Sequence, residues 1–134
     1  MKSLYLALIV TLFFNSGCEK KVNPINQTVD FIGERSKIVG ESTFTITNIV
    51  DNRCAPHELC EVAGKANVSV KVQTGFDIRI FSLCAGNCDD IGATDNVTFT
   101  IDNAKYWIKL KSVSPSNSTE LTLPQTVTLE ITKG

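Results

Sequence analysis

From Ala66 to Val72 every second residue is small and apolar: Ala66, Val68, Val70 and Val72 share one parity, and Asn67, Ser69 and Lys71 share the other. Apolar spacing of two puts one face of an extended chain in a core and leaves the other in water. The same rhythm recurs along most of the chain. Phe44 and Ile46 alternate within residues 42–50, and the phase slips near Asn48, as a β-bulge would make it do. Val97, Phe99 and Ile101 form another set, ended by Asp102-Asn103, and Tyr106, Ile108 and Leu110 follow at once. Val127, Leu129 and Ile131 close the series, while residues 28–33 and 36–39 are shorter candidates. After Thr74-Gly75, read as a turn, Phe76, Ile78 and Ile80 resume the inward face with Asp77 and Arg79 outward. Helical spacing appears nowhere after the first twenty residues. About seven short strands at near-regular intervals predict an all-β chain: an antiparallel β-sandwich of immunoglobulin-like type, with a closed barrel as the competing architecture.

One junction interrupts the pattern. Between the strand ending near Val50 and the one beginning near Ala66 lie Asp51-Asn52 and Ala55-Pro56, both turn chemistry. Cys54 and Cys60 can close that loop covalently, and Gly64 is placed to let the chain leave it in a conformation a side chain would forbid.

The N-terminus bears on place. A Met-Lys start, an apolar run over residues 4–14 and the small residues Ser16-Gly17 before Cys18 have the layout of a secretory leader. The run falls short of the roughly 20 residues that span a bilayer. Ser16-Gly17-Cys18 resembles the bacterial lipobox, departing from it at Asn15, where leucine is usual. That resemblance implies cleavage before Cys18 and a diacylglycerol on its sulfur. Five cysteines in an exported chain leave one over from pairing, and Cys18 is the natural odd one. The expected division is a leader over 1–17, a flexible tether over 18–27 containing Asn23-Pro24, and a domain over 28–134. The expected location is the cell envelope, lipid-anchored at the outer membrane. Loss of Lys2 with the leader leaves 12 basic against 14 acidic side chains. A balance so near neutral argues against nucleic acid as a partner.

Cys54, Cys60, Cys84 and Cys88 remain for the domain, and three pairings are possible. Local pairing, Cys54 with Cys60 and Cys84 with Cys88, closes two small loops and is the expected one. The rival crosses the hairpin: a turn at Thr74-Gly75 sets residues summing to 149 opposite one another, which brings Cys60 beside Cys88. The run Asp51-Asn52-Arg53-Cys54-Ala55-Pro56, then Cys60-Glu61-Val62-Ala63-Gly64-Lys65-Ala66, resembles a motif of small bacterial lipoproteins of the Bacteroidetes type. Their pattern runs D-S-R-C-P, then C-x-W-A-G-x-A and a valine-rich strand. The stretch from Tyr106 to Pro115 is similar to their later Y-x-I-x-L-x-x-V-x-P. Here Ala55 is inserted before the proline, and Val62 replaces the usual tryptophan. The resemblance implies a β-sandwich and an anchored envelope protein, and no established activity.

Three clusters can be weighed as sites. Cys54, His57, Glu58 and Cys60 could ligate zinc or activate a thiol, but disulfide formation consumes both thiols and His57 is the sole histidine. Asn87, Asp89, Asp90, Asp95 and Asn96 offer hard oxygens for calcium without EF-hand spacing, so a solvated acidic loop is the plainer reading. Trp107 falls on the outward register among Lys105, Lys109 and Lys111, where an aromatic platform for a glycan or a protein partner could stand. No metal, no cofactor and no catalytic residue is expected, since no paired titratable groups converge. The expectation is therefore a lipid-anchored binding or structural module. The alternative is an inhibitor-like or ligand-capturing β-domain that uses the Cys54–Cys60 loop.

Overall fold

A computed structural model describes residue 17 and residues 23–32, 35–54, 59–61, 63–114 and 124–134. Leader residues 1–16, Cys18 with the rest of the 18–22 part of the tether, residues 33–34, residues 55–58 with His57 and Glu58, Val62 and residues 115–123 lie outside the described residues. Eight strands are present among those described: β1 (Ile25–Ile32), β2 (Ser36–Val39), β3 (Ser42–Asp51), β4 (Lys65–Thr74), β5 (Asp77–Gly86), β6 (Asn96–Ile101), β7 (Ala104–Ser114) and β8 (Thr126–Lys133). They form two four-stranded sheets, ordered β1-β8-β7-β6 and β2-β3-β4-β5, and every pairing is antiparallel. This is the expected sandwich, with eight strands rather than seven and with open edges rather than barrel closure. β1 starts at Ile25, opposite Lys133, so the chain joins the sheet three residues before the expected domain boundary.

Two-residue turns set the registers. Gly40-Glu41 joins β2 to β3, Gly75-Phe76 joins β4 to β5, and Asp102-Asn103 joins β6 to β7. Gly40 and Gly75 have φ of 62° and 58° at the first turn position, and Asp102 and Asn103 have φ of 48° and 61°. These backbone twists suit right-handed hairpins. The bulge expected near Asn48 is present as a register shift between Ile46 and Asn48. A second lies between Leu110 and Ser112.

The β4–β5 turn corrects one expectation. With Gly75-Phe76 at the tip, Thr74 faces Asp77 and paired residues sum to 151, so Val72 faces Arg79 and Val70 faces Phe81. Directly opposed residues share a sheet face. Arg79, Phe81, Leu83 and Ala85 therefore take the inward register, and Ile78 and Ile80 point outward, 50% and 67% exposed. Phe76 sits in the turn itself, fully exposed.

The core is the row of inward residues from both sheets. Phe44, Ile46, Ala66, Val68, Val70, Val72 and Leu83 face Phe31, Ile101, Tyr106, Ile108, Leu110, Val127, Leu129 and Ile131. One end of this core is polar. Ser42 Oγ lies 2.6 Å from Thr74 Oγ1 and 2.8 Å from the Tyr106 hydroxyl, all buried. Lys133, on the inward register of β8, lays its ammonium 5.6 Å from the Tyr106 ring centroid and 3.9 Å from Glu41. The apolar stem of such a lysine can cover core while its head reaches the rim. The three hairpin turns, the start of β1 and the C-terminus gather at this end, since Ile25 and Tyr106 both oppose Lys133 and Lys105 exchanges backbone hydrogen bonds with Gly134. The loops carrying the cysteines gather at the other.

Candidate functional site

The cysteine-bearing end is built from β3, β4 and β5. Both disulfides are local, Cys54–Cys60 and Cys84–Cys88, with Cα separations of 6.0 and 6.1 Å. Cys84 lies on the outward register beside Asn67 yet is buried. Its amide donates to Thr94 O at 2.9 Å, which draws the segment after the 3-10 turn Asp89–Ile91 along β5.

Beneath the staple, Asp51 at the end of β3 accepts four hydrogen bonds. Its Oδ1 takes the Arg53 amide (3.1 Å) and Nε (2.9 Å), and its Oδ2 takes Arg53 Nη2 (2.7 Å) and Gln125 Nε2 (2.8 Å). Arg53 Nη2 also donates to Val113 O at 2.6 Å. The carboxylate and guanidinium thus clamp the end of β3, in one sheet, to the end of β7 and the start of β8, in the other. The hydrogen bonds that Arg53 donates to Asp51, against the opposing cost of burial, hold the Arg53 pKa above its usual value.

Beside the clamp lies an open cleft of about 310 Å3, lined by Asn52, Ala63, Gly64, Lys65, Asn87 and Asp90. Asn52 and Lys65 hold its floor: the Asn52 amide donates to Lys65 O (2.9 Å), and the Lys65 amide donates to Asn52 Oδ1 (2.8 Å). The Asn87 amide donates to Gly64 O at 3.2 Å. Lys65 Nζ bonds the Asp90 carboxylate across the cleft. Gly64 has no positive φ; what bars a side chain is space, because a Cβ there would collide with the Asn52 carbonyl and lie 2.7 Å from Arg53 Cα. A side chain is forbidden at Gly64, as expected, but by space and not by a left-handed dihedral.

Two aspartates of the acidic loop pair with lysines. Asp90 bonds Lys65, and Asp95 lies 3.7 Å from Lys109 and accepts from Asn96 Nδ2 at 2.6 Å. Among the described residues no three Cys, His, Asp or Glu side chains gather as metal ligands. The hydrogen bond from Lys65 is the main cause of a lowered Asp90 pKa. A depressed carboxylate contributes its bridge above the ordinary Asp range and loses it as pH falls through the lowered value. Lys65→Met should return the Asp90 titration to the ordinary Asp range in carboxylate-detected NMR; an unchanged midpoint would show that the lysine is not the cause.

Trp107 lies elsewhere, on the outer face of the β1-β8-β7-β6 sheet. It pairs with Thr98 on β6 and Thr132 on β8, and Asn26 completes the row on β1. The next row is Thr28, Glu130, Lys109 and Asn96. Trp107 is half-buried, between the exposed platform and the core packing that its register allowed. It is the sole aromatic on this face among the described residues. Its lysine neighbours are partly engaged: Lys109 with Asp95, and Lys111 with Glu130 at 3.3 Å. Lys105 is exposed at the end of the row. No helix among the described residues is long and apolar enough to cross a membrane. No family model, no curated protein and no solved structure matches the chain, so its chemistry rests on the geometry above.

Proposed function

We propose that the protein is a lipid-anchored cell-envelope module that binds a glycan or protein partner on the outer face of its β1-β8-β7-β6 sheet, around Trp107, Lys105 and Lys109, without enzymatic activity. The observation that carries this reading is the placement of one half-buried indole among Thr98, Thr132 and Asn26. A ring surface set among hydroxyls and amides offers stacking and hydrogen bonding together, the combination that sugars and polar loops require. Anchoring through Cys18 fits the same layout, because the chain joins the sandwich at Ile25, at the hairpin end. The sheet face then stands along the side of the domain and the disulfide loops point away from the membrane. Near-neutral charge leaves nucleic acid out of the reading.

Two measurements test it. Cys18→Ala should abolish lipid attachment and move the protein out of the membrane fraction; a mature N-terminus without lipid, found by mass spectrometry of the wild type, would refute the anchor. Trp107→Ala should weaken retention on a glycan array or in a pull-down by about 2 kcal/mol or more. Its melting temperature should fall far less than that of Ile108→Ala, a core deletion costing about 2–5 kcal/mol. Unchanged binding, or a melting loss equal to that of Ile108→Ala, would assign Trp107 to packing.

A second reading has its own observation. Leu59, between the bonded Cys54 and Cys60, is fully exposed. An apolar side chain held out on a covalently closed loop is suited to insertion into a partner's pocket. Leu59→Asp would abolish inhibition or capture on this reading and leave it intact on the first.

A further inference from the structure

We propose that the free half of β5 is the seam of a homodimer, in which two copies pair antiparallel about Ile78 and merge their β2-β3-β4-β5 sheets into one. β5 is the outer strand of its sheet. Its second half is covered: Phe81 meets Phe99 in a tilted ring contact with centroids 4.4 Å apart, and the Cys84 amide donates to Thr94 O. Its first half, Asp77 to Ile80, pairs with β4 without a bulge and has no strand on its other side among the described residues. Proline, lysine and register breaks, three protections an exposed edge can carry, are absent from it, and its charges, Asp77 and Arg79 on the inward register, offset each other.

The backbone phase fits a partner strand. Thr74 and Asp77 flank a two-residue turn, and residues in that position exchange both their hydrogen bonds. The pattern alternates, so Asp77 and Arg79 spend their backbone groups on β4, while those of Ile78 and Ile80 point away from the sheet. A second β5 can therefore bond only with Ile78 and Ile80 in the hydrogen-bonded phase.

The side chains then select one register. Asp77 and Arg79, both about half exposed, sit 3.4 Å from each other within the chain. Centring the pair on Ile78 sets Asp77 opposite the partner's Arg79, and Arg79 opposite the partner's Asp77. The neighbouring registers of the same phase set Arg79 on Arg79 or Asp77 on Asp77, which like-charge repulsion disfavours. On the outer face the chosen register joins Ile78 to its own copy and Phe76 to Ile80, all of them exposed in the single chain. Contiguous apolar surface of that kind on a soluble domain marks an interaction site. A second copy matches it in backbone phase, charge and apolar stripe together.

Cross-linking tests the register directly. In a Cys18→Ala background, where the added thiol is the odd one, Ile78→Cys places two thiols across the two-fold at a Cα separation of about 5.5 Å, within disulfide reach. Ile80→Cys places them about 13 Å apart along the strands, out of reach. The expected result is a covalent dimer from Ile78→Cys under mild oxidation and none from Ile80→Cys. Equal dimer yields from both would overturn the proposal. By light scattering, Arg79→Asp should weaken association of the unoxidised chain about tenfold or more. The swap Asp77→Arg with Arg79→Asp should restore it, because the reversed pair is again self-complementary. Association unaffected by Arg79→Asp, no rescue by the swap, or a wild-type chain that stays monomeric as its concentration rises would each overturn the seam.

Discussion

Asp51→Ala is expected to destabilise the domain by about 3 kcal/mol, lowering the melting temperature by about 12 °C, with most of the loss surviving in high salt. The carboxylate is almost wholly buried, its side chain 4% exposed, and it satisfies three donors of Arg53 and one of Gln125 at once. An exposed ion pair of this kind would be worth a fraction of that and would fade with ionic strength. Here the substitution strands a guanidinium that is itself 20% exposed, and it unties β3 from the ends of β7 and β8. The price of leaving a buried charge without its partner is what sets the magnitude. Asp51→Asn keeps one acceptor oxygen but sets an NH2 against two of the four donors and removes the charge, so it should lose a comparable amount. The check is chemical denaturation of both variants beside wild type. Small losses, erased by salt, would reduce the clamp to a surface bridge.

That clamp shows where the sequence stops being legible. Asp51 reads locally as turn chemistry, and nothing near it names Gln125 or Val113, which lie in the other sheet and come together only once the sandwich closes. The strands themselves were readable because burial with a period of two leaves its mark in every residue of Ala66 to Val72. β5 misled for a physical reason. Its apolar residues change parity along the strand, Ile78 and Ile80 first and then Phe81, Leu83 and Ala85, but an unbulged strand can turn only one parity inward. The turn decides which, and Gly75 with positive φ at the first turn position moves the tip to Gly75-Phe76. Two isoleucines are thereby left on the outside, where hydrophobicity alone would not have put them. The local disulfides could be anticipated from the short spacing of each pair, six and four residues. Trp107 was placed correctly on the outward register, but how far its neighbours would cover it depends on Thr98 and Thr132, partners that only the pairing of three strands supplies.

Gly64→Ala should cost about as much as losing the clamp, roughly 3 kcal/mol, although it adds a single methyl group. The residue sits where the chain passes from the disulfide loop into β4, against the Asn52 carbonyl and Arg53 Cα. Both obstacles are backbone, so neither can swing aside as a side chain would. Relief requires moving the 52–53 segment, and that segment carries the Asn52–Lys65 hydrogen bonds and delivers Arg53 to Asp51. Displacement would also disturb Gly86, whose own missing Cβ would lie 2.6 Å from Gly64 O. Gly75→Ala supplies the contrast. That glycine has φ of 58° with open space around it, so an alanine there meets only the left-handed backbone penalty, about 1–2 kcal/mol. Steric exclusion at Gly64 therefore predicts the larger loss at the position whose dihedral is ordinary. Denaturant melts of the two variants decide the matter: a loss at Gly75 equal to or greater than that at Gly64 would mean that the loop yields to the methyl group, and that the floor of the cleft is softer than its packing implies.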